Sequence, residues 1–491
     1  MLFNSLAFGI FLPVVFALYW LTPQKYRYFV VLLSSIWFYL GFGLTFFIIL
    51  LMVVLVTYLG AIAIERAKEK MKRVCLHVVL IYVIGFLLLY KYANFGLETI
   101  QDVLRFAGIS FTPQVLKIAV PVGISFYTFK VVSYLADVYK GKIKAQTNFV
   151  KYAAYVTFFP QIASGPIERA GHFFETMESI SLFSYEKAIY GVKLIGWGFF
   201  KKIIIADKLS GYVAKVFSDV NAFSGFSLLV AAFFFSIQIY CDFSGYSDIA
   251  NGVAKLLGFD GAKNFDNPYF SSSVKEFWGR WHISLSSWFR DYIYIPLGGS
   301  RVGKVKYARN IMITFLVSGL WHGASWTYVV WGGLHGIVQV METLLHDMFC
   351  KLRGIDPKDK NRNKNVLRRI IGVIFVFVFV TAAWVFFEAS TVNDALYVLK
   401  NMFAGVTEPV NYIKSGLTCL GINSKMFMHL AVILGILFVF DLISLKRSVF
   451  ELIDKLPIVV RYIIYVFFVD IMIIWFLQYG ADSSSFVYFQ F

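Results

Sequence analysis

"YFVVLLSSIWFYLGFGLTFFIILLMVVLVTYLGAIAI", residues 28–64, carries no charged side chain. About 20 apolar helical residues cross a hydrocarbon core of roughly 30 Å, so this stretch is long enough to cross twice. Shorter runs of the same kind are Leu6–Trp20, Val74–Tyr90, Phe226–Tyr240, Ile370–Phe387, Leu430–Ile443 and Val460–Tyr479. Only 15% of the 491 residues are charged and 59% are hydrophobic, against about 25% charged in a soluble domain. Backbone polar groups in lipid must be bonded within their own segment, which favours helices. The sequence therefore predicts an all-α polytopic membrane protein, with about ten to thirteen membrane segments.

The formal net charge of +17 comes from short basic loops between apolar runs, which reads as the positive-inside rule and not as a nucleic-acid face. Glu65–Arg73 holds five basic residues and Lys351–Arg369 eight, so both are expected in the cytoplasm. Counting crossings from these loops puts Lys25 and Arg27 inside and Met1 outside. It puts Asn94–Gln114 outside, Lys140, Lys142 and Lys144 inside, Lys446 and Arg447 inside, and the polar C-terminus outside. Both termini are thus expected to be extracytoplasmic. The first apolar run lacks a basic n-region and a small-x-small cleavage site, and is read as a retained anchor. Cys75, Cys241, Cys350 and Cys419 are far apart and predict neither a disulfide framework nor a metal site.

The chain divides into an N-terminal transmembrane scaffold (1–114), a central core (115–350) and C-terminal transmembrane segments (351–491). Pro160, Pro166, Asp242, Asp248, Pro268 and Pro296 interrupt the core's apolar runs. Irregular backbone at membrane depth is tolerated where it is buried in protein or lines a cavity, so the core is where function is expected. No internal repeat is visible, which counts against a transporter of inverted halves.

Two stretches of the core carry histidine. In "VKEFWGRWHISLSSWFRDYIYIPLGG" (274–299), Val274, Phe277, Trp278, Trp281, Leu285, Trp288, Phe289 and Tyr292 recur at helical spacing, predicting an amphipathic helix with His282 on its buried stripe and Arg280 opposite. In "SGLWHGASWTYVVWGGLHG" (318–336), five glycines make room and three tryptophans wall it. If the helix starts at Arg309, His322 lies about 20 Å along it. An ionisable group at that depth is costly and is read as functional; His335, thirteen residues on, is read as structural. Zinc would need three or four ligands and no HExxH or Cys/His cluster supplies them. No GxSxG elbow marks a serine nucleophile. One imidazole within reach of a hydroxyl suffices for general-base catalysis, so acyl transfer is the enzyme chemistry these residues most simply support.

Around these histidines the sequence resembles the membrane-bound O-acyltransferase (MBOAT) family. The similar blocks are "FWGRWHISLSSWFRDYIYIPLGGSR", "SGLWHGASWTYVVWGGLHG", "IYCDFSGYSDIANGVAKLLGF" (239–259), "PVGISFYTF" (121–129) and "FFPQIASGPIER" (158–169). They look most like its bacterial, alginate O-acetylating branch. The resemblance implies a multi-helix fold with a membrane-crossing tunnel in the bacterial cytoplasmic membrane. It implies no bound cofactor, an acyl donor that is acetyl-CoA or an acyl carrier protein thioester, and a glycan acceptor outside. It also implies a separate extracytoplasmic acetyltransferase or esterase-like partner. By this pattern His322 is the main catalytic residue and His282 the second polar position. Trp321 is expected to shape the pocket. Asp242, Ser244, Tyr246, Arg280 and Arg290 are candidate tunnel residues, although Asp242 and Asp248 serve equally as partners of buried cations and Arg280, Arg290 and Arg301 as positive-inside charges. Glu168 and Arg169 are read as partners of each other or as closing the tunnel. D-alanyl transfer to teichoic acid is an alternative within the class, and a transporter or channel an alternative outside it.

Overall fold

The computed structural model describes residues 1–116, 118–179, 182–353 and 366–479. Leu6–Leu21 forms α1, and the uncharged stretch of 28–64 becomes two helices, α2 (Arg27–Leu40) and α3 (Leu44–Arg66). They part at Gly43, whose φ of 123° is open only to glycine. There follow α4 (Glu69–Phe106), α5 (Ile124–Tyr139), α6 (Phe149–Thr157), α7 (Ala170–Ser179), α8 (Tyr185–Phe199), α9 (Asp207–Phe217) and α10 (Phe226–Leu256). After them come α11 (Val274–Arg280), α12 (Ile283–Phe289), α13 (Lys304–His322), α14 (Trp326–Arg353) and α15 (Val366–Glu388). The last are α16 (Val392–Asn401), α17 (Pro409–Leu420), α18 (Ser424–Ser444), α19 (Val449–Asp454) and α20 (Ile458–Tyr479).

Among the described residues α3, α4, α10, α15 and α18 are long and apolar enough to cross a membrane. Their outer faces are greasy: Ile370, Ile371, Ile374, Phe375 and Val378 on α15 are exposed, as are Phe427, Met428, Val432, Ile436 and Val439 on α18. Such continuous apolar surface would aggregate in water and is the ordinary outer surface of a protein in lipid. The chain is an all-α, multi-pass membrane protein.

Beyond the apolar run Val74–Tyr90, α4 continues to Phe106 and is 38 residues long, about 57 Å. Two sequence expectations need correction. Asp242 and Asp248 do not interrupt α10, which passes through both for 31 residues. The amphipathic helix over 274–292 is broken at His282. Most of the second basic loop (354–365) and the polar C-terminus (480–491) lie outside the described residues.

Two compact units are defined: Met1–Ile195 with Ser247–Lys263, and Gly196–Tyr246 with Asn264–Phe491. In the first, α2 packs on α6, and α3 on α4 and α5; Tyr152 of α6 donates to Thr57 of α3 at 2.7 Å. Residues 158–168 are non-helical yet buried throughout, as expected of irregular backbone tolerated only inside protein. Their hub is Glu168. One carboxylate oxygen accepts from His172 at 2.8 Å, and the other from the amide of Ala262 at 3.3 Å and from Gln161 at 3.5 Å.

In the second unit a π-helical turn, Phe200–Ala206, precedes α9 and carries two buried lysines. Lys202 bridges Asp242 (2.5 Å) and Asp207 (2.9 Å), and Lys201 donates to Ser244 at 2.8 Å. The helices α13 and α14 approach each other backbone to backbone at glycine. A Cβ on Gly319 would strike the carbonyl of Tyr328, and one on Gly332 the carbonyl of Phe315, so the glycines expected to permit close approach do so.

Candidate active site

His282 sits in the break between α11 and α12 with φ 42° and ψ 53°, a left-handed conformation that costs a residue with a Cβ roughly 1–2 kcal/mol. The surroundings hold it there from both sides. Before it, Ser273 caps α11 by accepting from the Glu276 amide at 3.0 Å, and the Glu276 carboxylate accepts from the Ser272 amide at 2.8 Å. After it, the amide of Ile283 donates to the Asn264 carbonyl at 2.9 Å, and the Ser284 hydroxyl to the Asn264 side chain at 2.6 Å. Asp266, two residues beyond Asn264, donates its amide to the Arg280 carbonyl at 2.9 Å. Although the helix is broken, the ring of His282 is fully buried, as the periodicity anticipated. It lies edge-on to Phe243 (centroids 4.5 Å apart) and 6.2 Å from Trp321.

His322 is the last residue of α13. The helix begins at Lys304, five residues earlier than Arg309, so His322 stands about 27 Å along it and at its far end. Only 3% of it is exposed. Three rings surround the imidazole, all near perpendicular to it: Trp321 at 4.8 Å, Trp331 at 5.0 Å and Phe387 at 5.3 Å. Trp321 thus touches both histidines, and the two sequence blocks meet through it. His335 belongs to the same cluster, 5.1 Å from Trp331, and its Nδ1 accepts from the indole of Trp278 at 3.2 Å.

The other candidates lie in different settings. Asp242 and Ser244 are buried and engaged by Lys202 and Lys201, and Tyr246 is buried. Arg280 pairs with Glu276 at 2.8 Å and donates to the Asp266 carbonyl. Burial raises the Glu276 pKa, but the Ser272 hydrogen bonds and the charges of Arg280 and Arg369 outweigh it and hold the carboxyl below its usual range. Arg290 is exposed and pairs with its neighbour Asp291 at 2.9 Å. Glu168 has His172 as its ion-pair partner at 2.8 Å. Among the described residues no three His, Cys, Asp or Glu side chains gather in a metal-binding group. Sequence reasoning did not single out Asn264, Phe387 or the two buried lysines. Trp331 was visible, four residues before His335, but only as a wall.

The fold and the cluster define a polytopic membrane protein whose candidate chemistry rests on imidazole sealed among aromatic rings. Residues 142–392 match the MBOAT, membrane-bound O-acyltransferase, family, and the chain belongs to that family: it is a membrane-bound O-acyltransferase. It is 35% identical over 439 residues to a probable alginate O-acetylase, AlgI, of Pseudomonas aeruginosa, covering 88% of this chain and 80% of that one. It is 30% identical to a peptidoglycan O-acetyltransferase of Helicobacter pylori, with 82% and 80% covered. With a teichoic acid D-alanyltransferase of Bacillus subtilis it shares 29% identity over 52% of this chain and 66% of the other.

Proposed function

We propose that this acyltransferase moves an acetyl group from a cytoplasmic thioester, acetyl-CoA or an acyl carrier protein, toward hydroxyls of an extracytoplasmic polysaccharide, with His322 as general base. The observation that carries the reading is the burial of His322 at the far end of α13 among Trp321, Trp331 and Phe387. The near end of α13 carries Lys304, Lys306 and Arg309, a basic end that belongs in the cytoplasm. The histidine turn then faces the acceptor side of the bacterial cytoplasmic membrane. Relatives named for acetylating alginate and peptidoglycan support acetyl as the group and a glycan as the acceptor.

In this mechanism the acceptor hydroxyl gives its proton to His322 as its oxygen attacks the thioester carbonyl, and the imidazolium returns that proton to the departing thiolate. His282, held in its strained turn and sharing Trp321 with His322, orients the donor. Transfer is completed on the polymer by a separate extracytoplasmic acetyltransferase or esterase-like protein. The test is the ester-linked acetate of purified surface glycan from cells carrying wild type or His322→Ala at matched membrane abundance. His322→Ala is expected to lower transfer by about 10²–10⁴-fold with the protein still folded. Unchanged ester content sinks the mechanism. Loss of ester-linked D-alanine in place of acetate moves the protein to the D-alanyl branch.

A further inference from the structure

Trp331 and His335 are four residues apart on α14, hence on one face, and neither has any exposed surface. The indole of Trp278 can only donate a hydrogen bond, so His335 Nδ1, which receives it at 3.2 Å, must present its lone pair. A neutral imidazole then carries its proton on Nε2. Neither that Nε2 nor the indole Nε1 of Trp331 has a hydrogen-bond partner in the protein. Phe277 and Phe315 stack near-parallel to His335 at 6.3 and 6.2 Å, and Phe379 stands edge-on at 5.2 Å. The result is two donor-only groups in a wholly aromatic setting, where leaving them unmade is costly. Other buried polar atoms also lack partners, but here Trp331 contacts the His322 ring at 5.0 Å and His335 contacts Trp331 in turn at 5.1 Å.

We propose that Trp331 Nε1–H and His335 Nε2–H together receive the carbonyl oxygen of the acyl thioester, forming the oxyanion site of the reaction. The assignment rests on the O-acyl transfer reading above. As the acceptor oxygen bonds to the carbonyl carbon and its proton passes to His322, the carbonyl π pair moves onto oxygen. The two N–H groups hold that oxyanion. When the pair returns, the carbon–sulfur bond breaks, and the thiolate leaves with the proton from His322. Donors fixed in a water-excluded site are most effective where charge develops. This makes His335 a catalytic residue, not merely the structural one its sequence position suggests.

The test compares Trp331→Phe, His335→Leu, His335→Gln and Trp278→Phe by the rate at which cells accumulate ester-linked acyl groups on surface glycan, per unit of protein monodisperse in detergent. Trp331→Phe and His335→Leu are expected to lose about 10²–10³-fold each. His335→Gln keeps an N–H donor and an acceptor for Trp278 and is expected within about tenfold of wild type. Trp278→Phe frees the tautomer and is expected to cost only a few-fold. A purely structural role would order the variants by packing, with Gln no better than Leu. The proposal is overturned if folded Trp331→Phe or His335→Leu works within about threefold of wild type, if Gln and Leu are equally inactive, or if no variant folds, which would assign the pair to packing. His322→Ala run alongside separates the two failures: its loss with Trp331→Phe intact removes only the oxyanion site, whereas an active His322→Ala removes the parent mechanism.

Discussion

Glu168 and the Trp331/His335 pair are both buried polar centres, and they are built in opposite ways. Both carboxylate oxygens of Glu168 are engaged, by His172 on one side and by Ala262 and Gln161 on the other, and its charge faces that of buried Lys130. Lys130 in turn donates to the Tyr155 carbonyl at 2.6 Å. Trp331 and His335 keep one N–H each without a protein partner, and Trp331 lies against His322. A centre whose bonding is complete within the chain serves the fold, because a substrate can only compete with bonds already made. A centre left with donors alone is arranged for an oxygen that arrives from elsewhere.

The largest effect that separates the two kinds of centre should come from Glu168→Ala. It removes the carboxylate opposite Lys130 and strands the Ala262 amide and the Gln161 side chain, at about 1–3 kcal/mol for each unmet buried group. Thermal unfolding in detergent should show a large drop, while the activity of the fraction that remains folded changes little. His322→Ala should do the reverse, sparing stability and removing activity. If Glu168→Ala unfolded at the wild-type temperature, the carboxylate would not be the hub its hydrogen bonds describe.

A smaller effect is expected where the two roles overlap, at Asn264. Its side chain accepts from Ser284 and its backbone carbonyl from Ile283, on the turn that keeps His282 left-handed; Asn264→Ala keeps the carbonyl but loses the side-chain bond, so it should cost about 1–3 kcal/mol of stability and loosen the hold on the histidine. Activity is then expected to fall further than the stability loss accounts for, measured as rate per unit of monodisperse protein. Wild-type activity in a folded Asn264→Ala protein would mean that the backbone of His282 needs no such restraint.

The sequence was most legible where one physical rule acts alone. Apolar length found α1, α2, α3, α15, α18 and α20, and the glycine count near His322 anticipated the contact of Gly319 with Tyr328 and of Gly332 with Phe315. It was least legible where a remote partner changes the local outcome. Asp242 looked like an interruption because nothing near it in sequence announces Lys202, forty residues earlier, whose ion pair lets α10 run on. The break falls on His282, neither glycine nor proline; two short helices keep nearly the same apolar positions buried as one long helix would, and the clamp comes from Asn264, eighteen residues away. The oxyanion pair was hidden for a related reason. Which nitrogen of His335 carries the proton depends on Trp278, on another helix.

The smallest effect tests whether the Glu168 centre is as complete as it looks, through its one partner that titrates near neutral pH. The hydrogen bond to Glu168 raises the His172 pKa above 6.5; partial burial opposes this, and the charges of Glu168, Glu175 and Asp260 add to it. Asp260 stays ionised because Lys255 and Lys187 outweigh the effect of burial and hold its pKa below normal. A histidine whose pKa is raised on folding contributes stability that is fully present below its unfolded pKa of about 6.5 and is lost as pH rises through the folded value. The side chain of His172 is 53% exposed, so solvent screening keeps the contribution small. His172→Gln should therefore lower the unfolding temperature by at most about a degree at about pH 6 and leave it unchanged at about pH 9. A difference that persisted at the higher pH would mean that His172 matters as a neutral hydrogen-bond donor, and that the Glu168 centre gains nothing from the charge of its exposed partner.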